Sequence, residues 1–295
     1  PVLQSLDVLR SLVADPWLMG RIAANHALSD LYACGVQPRS ALAAVTLPFA
    51  RDDLLQRELR QVLAGALHEF SHVGCSLIGG HSMQGAEMQV GFAVSGQAMQ
   101  PERGLLSKRG ACVGDVLILS KPLGTGVLFA AHMQQLADGR DVSQSLEMML
   151  QSNIRAAELA LACGARGCTD ITGFGLLGHL LEMLGPGQGA ALQLANLPAL
   201  PGALQHLGAA RRSSGHAANA ASAAGALQAD SATGLAQVEL LFDPQTSGGL
   251  LVAVSPEMQE QFCGELHQAG YAAAAIIGEI IAVDHAPSGP RILLV

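Results

Sequence analysis

Apolar residues recur at helical spacing between Trp17 and Cys34, where Ile22, Ala23, Ala27, Leu28 and Leu31 make one face. Asp15 is placed to cap this helix, and Pro16 suits its first turn. Ala43–Leu47 is strand-like and stops at Pro48. Asp52 to Phe70 predicts a second amphipathic helix, opened by Asp52 and Asp53 at its positive dipole end. Ser76–Ile78 is a short apolar run that Gly79-Gly80 is expected to end. Glu87–Ser95 alternates as a strand does.

Polar residues then take over across Gln97–Gly114, with Pro101, Gly104, Lys108, Arg109 and Gly110. This stretch divides the chain into two expected domains, 1–105 and 113–295. In the second, Val116–Leu119 reads as a buried strand and Gly124 to Leu136 as a helix behind a glycine turn. Ser143–Cys163 reads as one long helix. Thr172 to Leu184 is a glycine-opened helix closed by Gly185-Pro186-Gly187. Leu192–Leu194, Val238–Leu241 and Leu250–Val254 are expected strands, Pro256 to Ala269 a helix, and Ala273–Val283 holds the last strand. Gly202–Ala236, rich in Ala, Ser and Gly around Arg211-Arg212-Ser213-Ser214-Gly215, predicts a helix with a mobile loop or an open flap. Strands and helices alternate irregularly, which predicts mixed α/β or α+β architecture rather than a strict doubly wound sheet.

Composition narrows the function classes. Half of the residues are hydrophobic and 14% charged, ample for buried cores. No apolar stretch reaches the ~18 residues of a membrane span; Tyr271–Val283 is broken by Gly278 and Glu279. No basic segment followed by an apolar one suggests a secretion signal. Sixteen Lys and Arg against 24 Asp and Glu, no basic run and 3% aromatics argue against nucleic acid. An anionic small ligand then calls for a metal ion or backbone N–H groups. The six cysteines form no CxxC and no His-x-x-x-His accompanies them, so reduced thiols of a cytoplasmic protein are expected rather than a zinc site.

Four segments carry candidate chemistry. Asp30 falls between Leu28 and Leu31 of an apolar helix and is either a capping or solvent-facing residue or a carboxylate with a partner or metal. Gly79-Gly80-His81-Ser82 is either a plain tight turn or a place where backbone N–H groups meet phosphate. Asp170, at a strand end before a glycine-opened helix, is either a helix cap or a metal ligand. The loops Lys121-Pro122-Leu123-Gly124-Thr125-Gly126 and Asp243-Pro244-Gln245-Thr246-Ser247-Gly248-Gly249 are of one kind, and neither is a P-loop. Asp7, Asp30 and Asp170 are hard oxygen donors suited to Mg2+ with a nucleotide.

Read in order, Leu3-Gln4-Ser5-Leu6-Asp7, Asp15-Pro16, Gly20 to Ala24, Ala27 to Asp30, Gly79 to Ser82, Gly114-Asp115, Lys121 to Gly126, Cys168 to Gly178 and Asp243 to Leu251 resemble the selenophosphate synthetases (selenide, water dikinases). Their superfamily includes aminoimidazole ribonucleotide synthetase, thiamine-monophosphate kinase and a hydrogenase maturation factor. The resemblance implies a two-domain fold like that of aminoimidazole ribonucleotide synthetase. Its α/β N-terminal domain binds ATP and forms a barrel with a second copy in a homodimer, and an α+β domain follows. The implied reaction takes ATP, selenide and water to selenophosphate, AMP and phosphate, a step that feeds selenocysteine biosynthesis. By matching position, Asp7 contacts ATP, Asp30 contacts ATP and Mg2+, Gly79, Gly80, His81 and Ser82 line the nucleotide site, and Asp170 holds Mg2+.

Two departures from the family pattern stand out. The glycine-rich segment with the family's catalytic Cys or selenocysteine and its Lys lies upstream of the Asp7 motif, and six residues precede Asp7 here. No cysteine, and neither Lys108 nor Lys121, matches those roles, so no catalytic residue is assigned within this chain. His26 stands where the stand-alone enzymes usually carry Asn; it resembles the version fused behind a flavin/pyridine-nucleotide oxidoreductase, or is a helix residue with a satisfied ring. Two other expectations fit parts of the pattern: an ATP-binding dimerisation domain without catalysis, and another ATP-dependent kinase or synthetase of the superfamily.

Overall fold

A computed structural model describes residues 2–102, 104–228, 235–283 and 291–295. The chain forms two compact units. Pro1–Leu105 with Met149–Asn153 makes the first, and Leu106–Met148 with Ile154–Val295 the second. Among the described residues no helix is long and apolar enough to cross a membrane.

The first unit runs β1 (Val2–Arg10), α1 (Pro16–Ala33), β2 (Val36–Pro48), α2 (Asp52–His72), β3 (Ser76–Gly85) and β4 (Gln89–Ala98). Its sheet has the order β1-β4-β2-β3, antiparallel except for the parallel β2–β3 pair. Asp15 caps α1 by accepting the amides of Trp17 and Leu18. Helix α1 is buried nearly all round, as a helix held between a sheet and a second helix must be. It crosses α2 at two glycines. A Cβ on Gly20 would stand 2.0 Å from the Val62 oxygen, and one on Gly65 1.9 Å from the Trp17 oxygen. On the helix side of the sheet, Phe92 of β4 meets Phe70 of α2 edge to face at 5.0 Å. On the other side Leu6, Val8 and Leu42 are exposed.

One strand is added to the expectations for this unit, and one expectation is corrected. Val2–Arg10 is a strand that the pattern did not announce. Gly79-Gly80 does not end β3; the strand runs through both glycines and pairs with β2 as far as Gly85. The ladder slips by one residue after Ala41↔Leu77, and Gly80 lies so close to β2 that a Cβ there would stand 2.3 Å from the Ala43 oxygen. Glycine is thus needed inside a strand that presses on its neighbour, not at a turn.

The second unit contains β5 (Val116–Leu119), α3 (Thr125–Met133), α4 (Gly139–Leu150), α5 (Ile154–Ala162), β6 (Gly167–Asp170), α6 (Gly175–Met183), β7 (Gln188–Leu192), α7 (Ala203–Gly208), α8 (His216–Ala223), β8 (Leu227–Gln228), α9 (Ala236–Leu240), β9 (Leu250–Val254), α10 (Gln259–Gln268), β10 (Ala275–Ala282) and β11 (Ile292–Leu294). The last residues of α4 group with the first unit. One mixed sheet of order β6-β9-β5-β10-β7-β11-β8 organises the unit. Strands β5, β6 and β9 are buried along their whole length, which accounts for their unbroken apolar character in Val116–Leu119 and Leu250–Val254.

Four further expectations change. The long helix of Ser143–Cys163 is two, α4 and α5, because the segment between them is held by α1: Asn25 Nδ2 donates to the Leu150 carbonyl and Asn153 Nδ2 to Ser29 Oγ. Val238–Leu241 is not a strand; helix α9 takes Val238 to Leu240, and its Glu239 pairs with Arg212 and His216. The strand expected at Leu192–Leu194 ends at Leu192, having begun directly after Gly187. A final strand, β11, follows the one expected to be last. Within Gly202–Ala236, α7, α8 and β8 form, and residues 229–234 lie outside the described residues.

Candidate functional site

In the first unit the candidate chemistry gathers where β1 lies on α1. Ser5 and Asp7 are two apart on a strand and share a face; His26 and Asp30 are four apart on a helix and share another. Ser5 Oγ donates to Asp30 Oδ2. The Asp7 carboxyl lies beside that of Asp30, close enough for each to act on the other's proton. His26 Nε2 stands 3.9 Å from Asp7 Oδ1. Burial first, and then the negative charge of Asp30, pushes Asp7 up to about 6. Asp30 is therefore not a cap: its side chain leaves the helix sideways, toward β1. Among the described residues neither carboxylate is ion-paired with a lysine or arginine. Two crowded carboxylates paired with no lysine or arginine are a donor set for a hard divalent cation. Among the described residues no group of three or more His, Cys, Asp or Glu stands ready to hold a metal unaided. Mg2+ fits that arrangement, since it takes one or two carboxylates and completes its shell with water and phosphate oxygens.

Gly79, Gly80, His81 and Ser82 lie at the opposite edge of the same sheet. With Ala43, Val45, Leu59, Leu63, Leu77 and Ile78 they line a mostly apolar groove of about 440 Å3 between β3 and α2. Cross-strand partners put Asp7, Phe92, Ala43 and Gly80 in one row. At the usual strand spacing this separates Asp7 from Gly80 by roughly 14 Å. The structure thus brings Asp7 and Asp30 together and leaves the Gly79–Ser82 segment across the sheet from them.

Asp170 belongs to the second unit, where β6 ends. It is 4% exposed. It does not cap α6, whose N-cap position is Phe174 without a side-chain hydrogen bond. Across β9, Lys121 follows the end of β5; it is 1% exposed and donates from Nζ to the Ser247 carbonyl at 3.1 Å. Burial pulls the Lys121 ammonium down to about 7, and the charge of Asp170 opposes that pull.

The two glycine and hydroxyl loops turn out to serve each other. Gln245 Oε1 accepts the amides of Gly124 at 2.9 Å and Thr125 at 3.2 Å, and the Thr125 hydroxyl at 3.2 Å. The Gln245 side-chain nitrogen donates to Asp243 Oδ2 at 3.1 Å. The Gly124 and Thr125 amides at the start of α3 are therefore engaged within the protein, which removes them from phosphate binding. Burial pushes Asp243 up to about 7, against its hydrogen bonds. Sequence reasoning gave no role to Ser5, Lys121 or Gln245. For Ser5 the available signal was its place two residues before Asp7. For Lys121 it was that the chain has only one other lysine.

Comparison with known proteins bears on both units. Residues 2–98 match the family profile described as AIR synthase related protein, N-terminal domain, and residues 113–287 match its C-terminal domain. The selenide, water dikinase of Pelobacter propionicus is 37% identical over 282 residues, which is 95% of this chain and 80% of that protein. The crystal structure of thiamine-monophosphate kinase from Stenotrophomonas maltophilia superposes with a TM-score of 0.72 at 18% identity, over 100% of this chain and 85% of the other. Hydrogenase maturation protein HypE, in its complex with ATP, gives 0.72 at 18% identity over 100% and 81%. These two likenesses establish a shared two-domain, mixed α/β fold. The family profiles and the identity to the dikinases together place this chain in the AIR synthase-related family, among the selenide, water dikinases.

Proposed function

We propose that this chain is the ATP- and Mg2+-binding body of a selenophosphate synthetase, which converts ATP, selenide and water to selenophosphate, AMP and phosphate. The observation that carries the reading is the Asp7–Asp30 pair: two carboxyl groups crowded together where β1 lies on α1, with no lysine or arginine paired to them among the described residues, in a chain related to selenide, water dikinases. Asp30 and, in the second unit, Asp170 are the residues that would hold Mg2+. Asp7 contacts ATP, and Gly79, Gly80, His81 and Ser82 line the nucleotide site. Bound there, Mg2+ supplies the positive charge that a triphosphate needs in a protein of net charge −8. The chain's own contribution is positioning: β1 and α1 hold two carboxylates in fixed relation before any ligand arrives.

A homodimer fits the exposed Leu6, Val8 and Leu42 on the open side of the first sheet. A cytoplasmic setting fits six cysteines that are all thiols. The reading is tested by calorimetric titration of ATP with and without Mg2+. Asp30→Ala and Asp170→Ala are each expected to weaken Mg·ATP binding at least ~10-fold, about 1.4 kcal/mol. Affinities equal to that of the unaltered protein would remove the assignment.

A further inference from the structure

Lys121 is a lysine in a place where lysine is costly. It is 1% exposed, and a buried ammonium persists only with partners for its charge and protons. The topology brings those partners to it. Leu119 of β5 and Asp170 of β6 pair with Leu251 and Leu250 on the two sides of β9. Lys121 and Asp170 therefore flank the turn that leads into β9. The turn is tight against the backbone on both sides: a Cβ on Gly249 would stand 2.6 Å from the Lys121 backbone nitrogen, and one on Gly248 2.1 Å from the carbonyl oxygen of Ile171, the residue after Asp170. Ser247 adopts φ +49°, a left-handed conformation unfavourable for serine, and its carbonyl receives the Lys121 ammonium. The Asp170 carboxylate is the anion that favours the ammonium's charge.

We infer that Lys121 is a positioning residue: its ammonium ties the Asp170 carboxylate to the Ser247 carbonyl and so holds Asp170 in the orientation in which it serves Mg·ATP. The inference rests on the reading of Asp170 as a Mg2+ residue and adds the group that orients it. Lys121 itself touches neither ATP nor metal in this account.

The test uses four variants of the full chain: Lys121→Met, Lys121→Arg, Asp170→Asn and the double variant Lys121→Met/Asp170→Asn. Chemical denaturation without nucleotide reads the coupling of the two charges. The double variant is expected to lose less stability than the sum of Lys121→Met and Asp170→Asn, because the attraction between the two charges is then lost once and not twice. Titration of ATP at a series of Mg2+ concentrations reads the function. Lys121→Met is expected to raise the Mg2+ needed for half-maximal ATP binding at least ~10-fold and Lys121→Arg by less, with Mg2+-free ATP binding unchanged in both. Additive stability losses, or an unshifted Mg2+ requirement in Lys121→Met where Asp170→Asn loses it, would overturn the role of Lys121 alone. An unshifted requirement in Asp170→Asn would instead remove the Asp170 assignment, and the inference with it. If Lys121→Met does not fold, the double variant decides: folding supports the coupling of charges, and failure to fold assigns Lys121 to packing.

Discussion

Asp7 and Asp30, one on a strand and one on a helix, bring their carboxyl groups together, and Ser5 Oγ donates to Asp30 beside them. Such a pair is a poor choice for stability and a good one for a cation. Replacing one member by its amide relieves the repulsion and keeps the shape. Asp7→Asn is expected to raise the unfolding free energy by about 0.5–2 kcal/mol, as at other sites where function costs stability. The same variant is expected to bind Mg·ATP at least ~10-fold more weakly. Thermal denaturation and calorimetry on one preparation check both. A variant less stable than the unaltered protein would show that the pair is a structural hydrogen bond.

Asp115 belongs to the sequence resemblance, yet its surroundings are structural. It is fully buried, accepts the Cys112 amide at 2.7 Å and pairs with Arg166 Nη1 at 2.7 Å. Asp115→Ala is expected to cost about 1–3 kcal/mol, because the Cys112 amide loses its acceptor while Arg166, half-exposed, turns to water. Denaturant titration measures it. ATP affinity of the folded variant is expected to stay within twofold, and a larger loss would place Asp115 in the site.

Asp243 makes stability depend on pH. Its folded value, about 7, lies above the 3.8 of an ordinary Asp. Between those values the native chain holds a proton that the unfolded chain has released. The group's contribution to stability is therefore full below pH 4, falls as pH rises toward 7 and levels off above it. The slope from one such proton reaches about 1.4 kcal/mol per pH unit. Asp243→Asn is expected to flatten the fall between pH 5 and 7 in denaturant titrations. An unchanged slope would contradict it.

The α1–α2 crossing depends on Gly20 and Gly65, whose absent Cβ positions are filled by the Val62 and Trp17 carbonyls. Backbone oxygen yields less readily than a side chain. Gly20→Ala and Gly65→Ala are each expected to destabilise by about 1–3 kcal/mol, despite alanine's better helix propensity. Unfolding midpoints check this, and a stabilised variant would contradict it.

Local signals were legible where one physical cause acted alone. Asp15 caps α1, Asp52 opens α2, and the apolar runs Val116–Leu119 and Leu250–Val254 are buried strands as expected. Val2–Arg10 was hidden because both faces are mixed: Ser5 and Asp7 point to α1 while Leu6 and Val8 point away. Three apolar residues around Glu239 in Val238–Leu241 suit a strand or a helical turn equally, and the Glu239 pairing with Arg212 and His216 accompanies the helix. The break after Leu150 depends on Asn25 and Asn153 bonding across more than a hundred residues of chain. The site divides the same way. A carboxylate in an apolar helix marked Asp30. Nothing local marked Lys121, whose partners Ser247 and Asp170 arrive only when β9 is paired on both sides.

The reaction itself is tested most directly by phosphorus NMR of the protein as its cell makes it, incubated with ATP, Mg2+ and selenide. Selenophosphate, AMP and phosphate appearing together, and only when selenide is present, is the predicted result. Accumulation of ADP without selenophosphate would contradict it and point to another kinase or synthetase of the same fold.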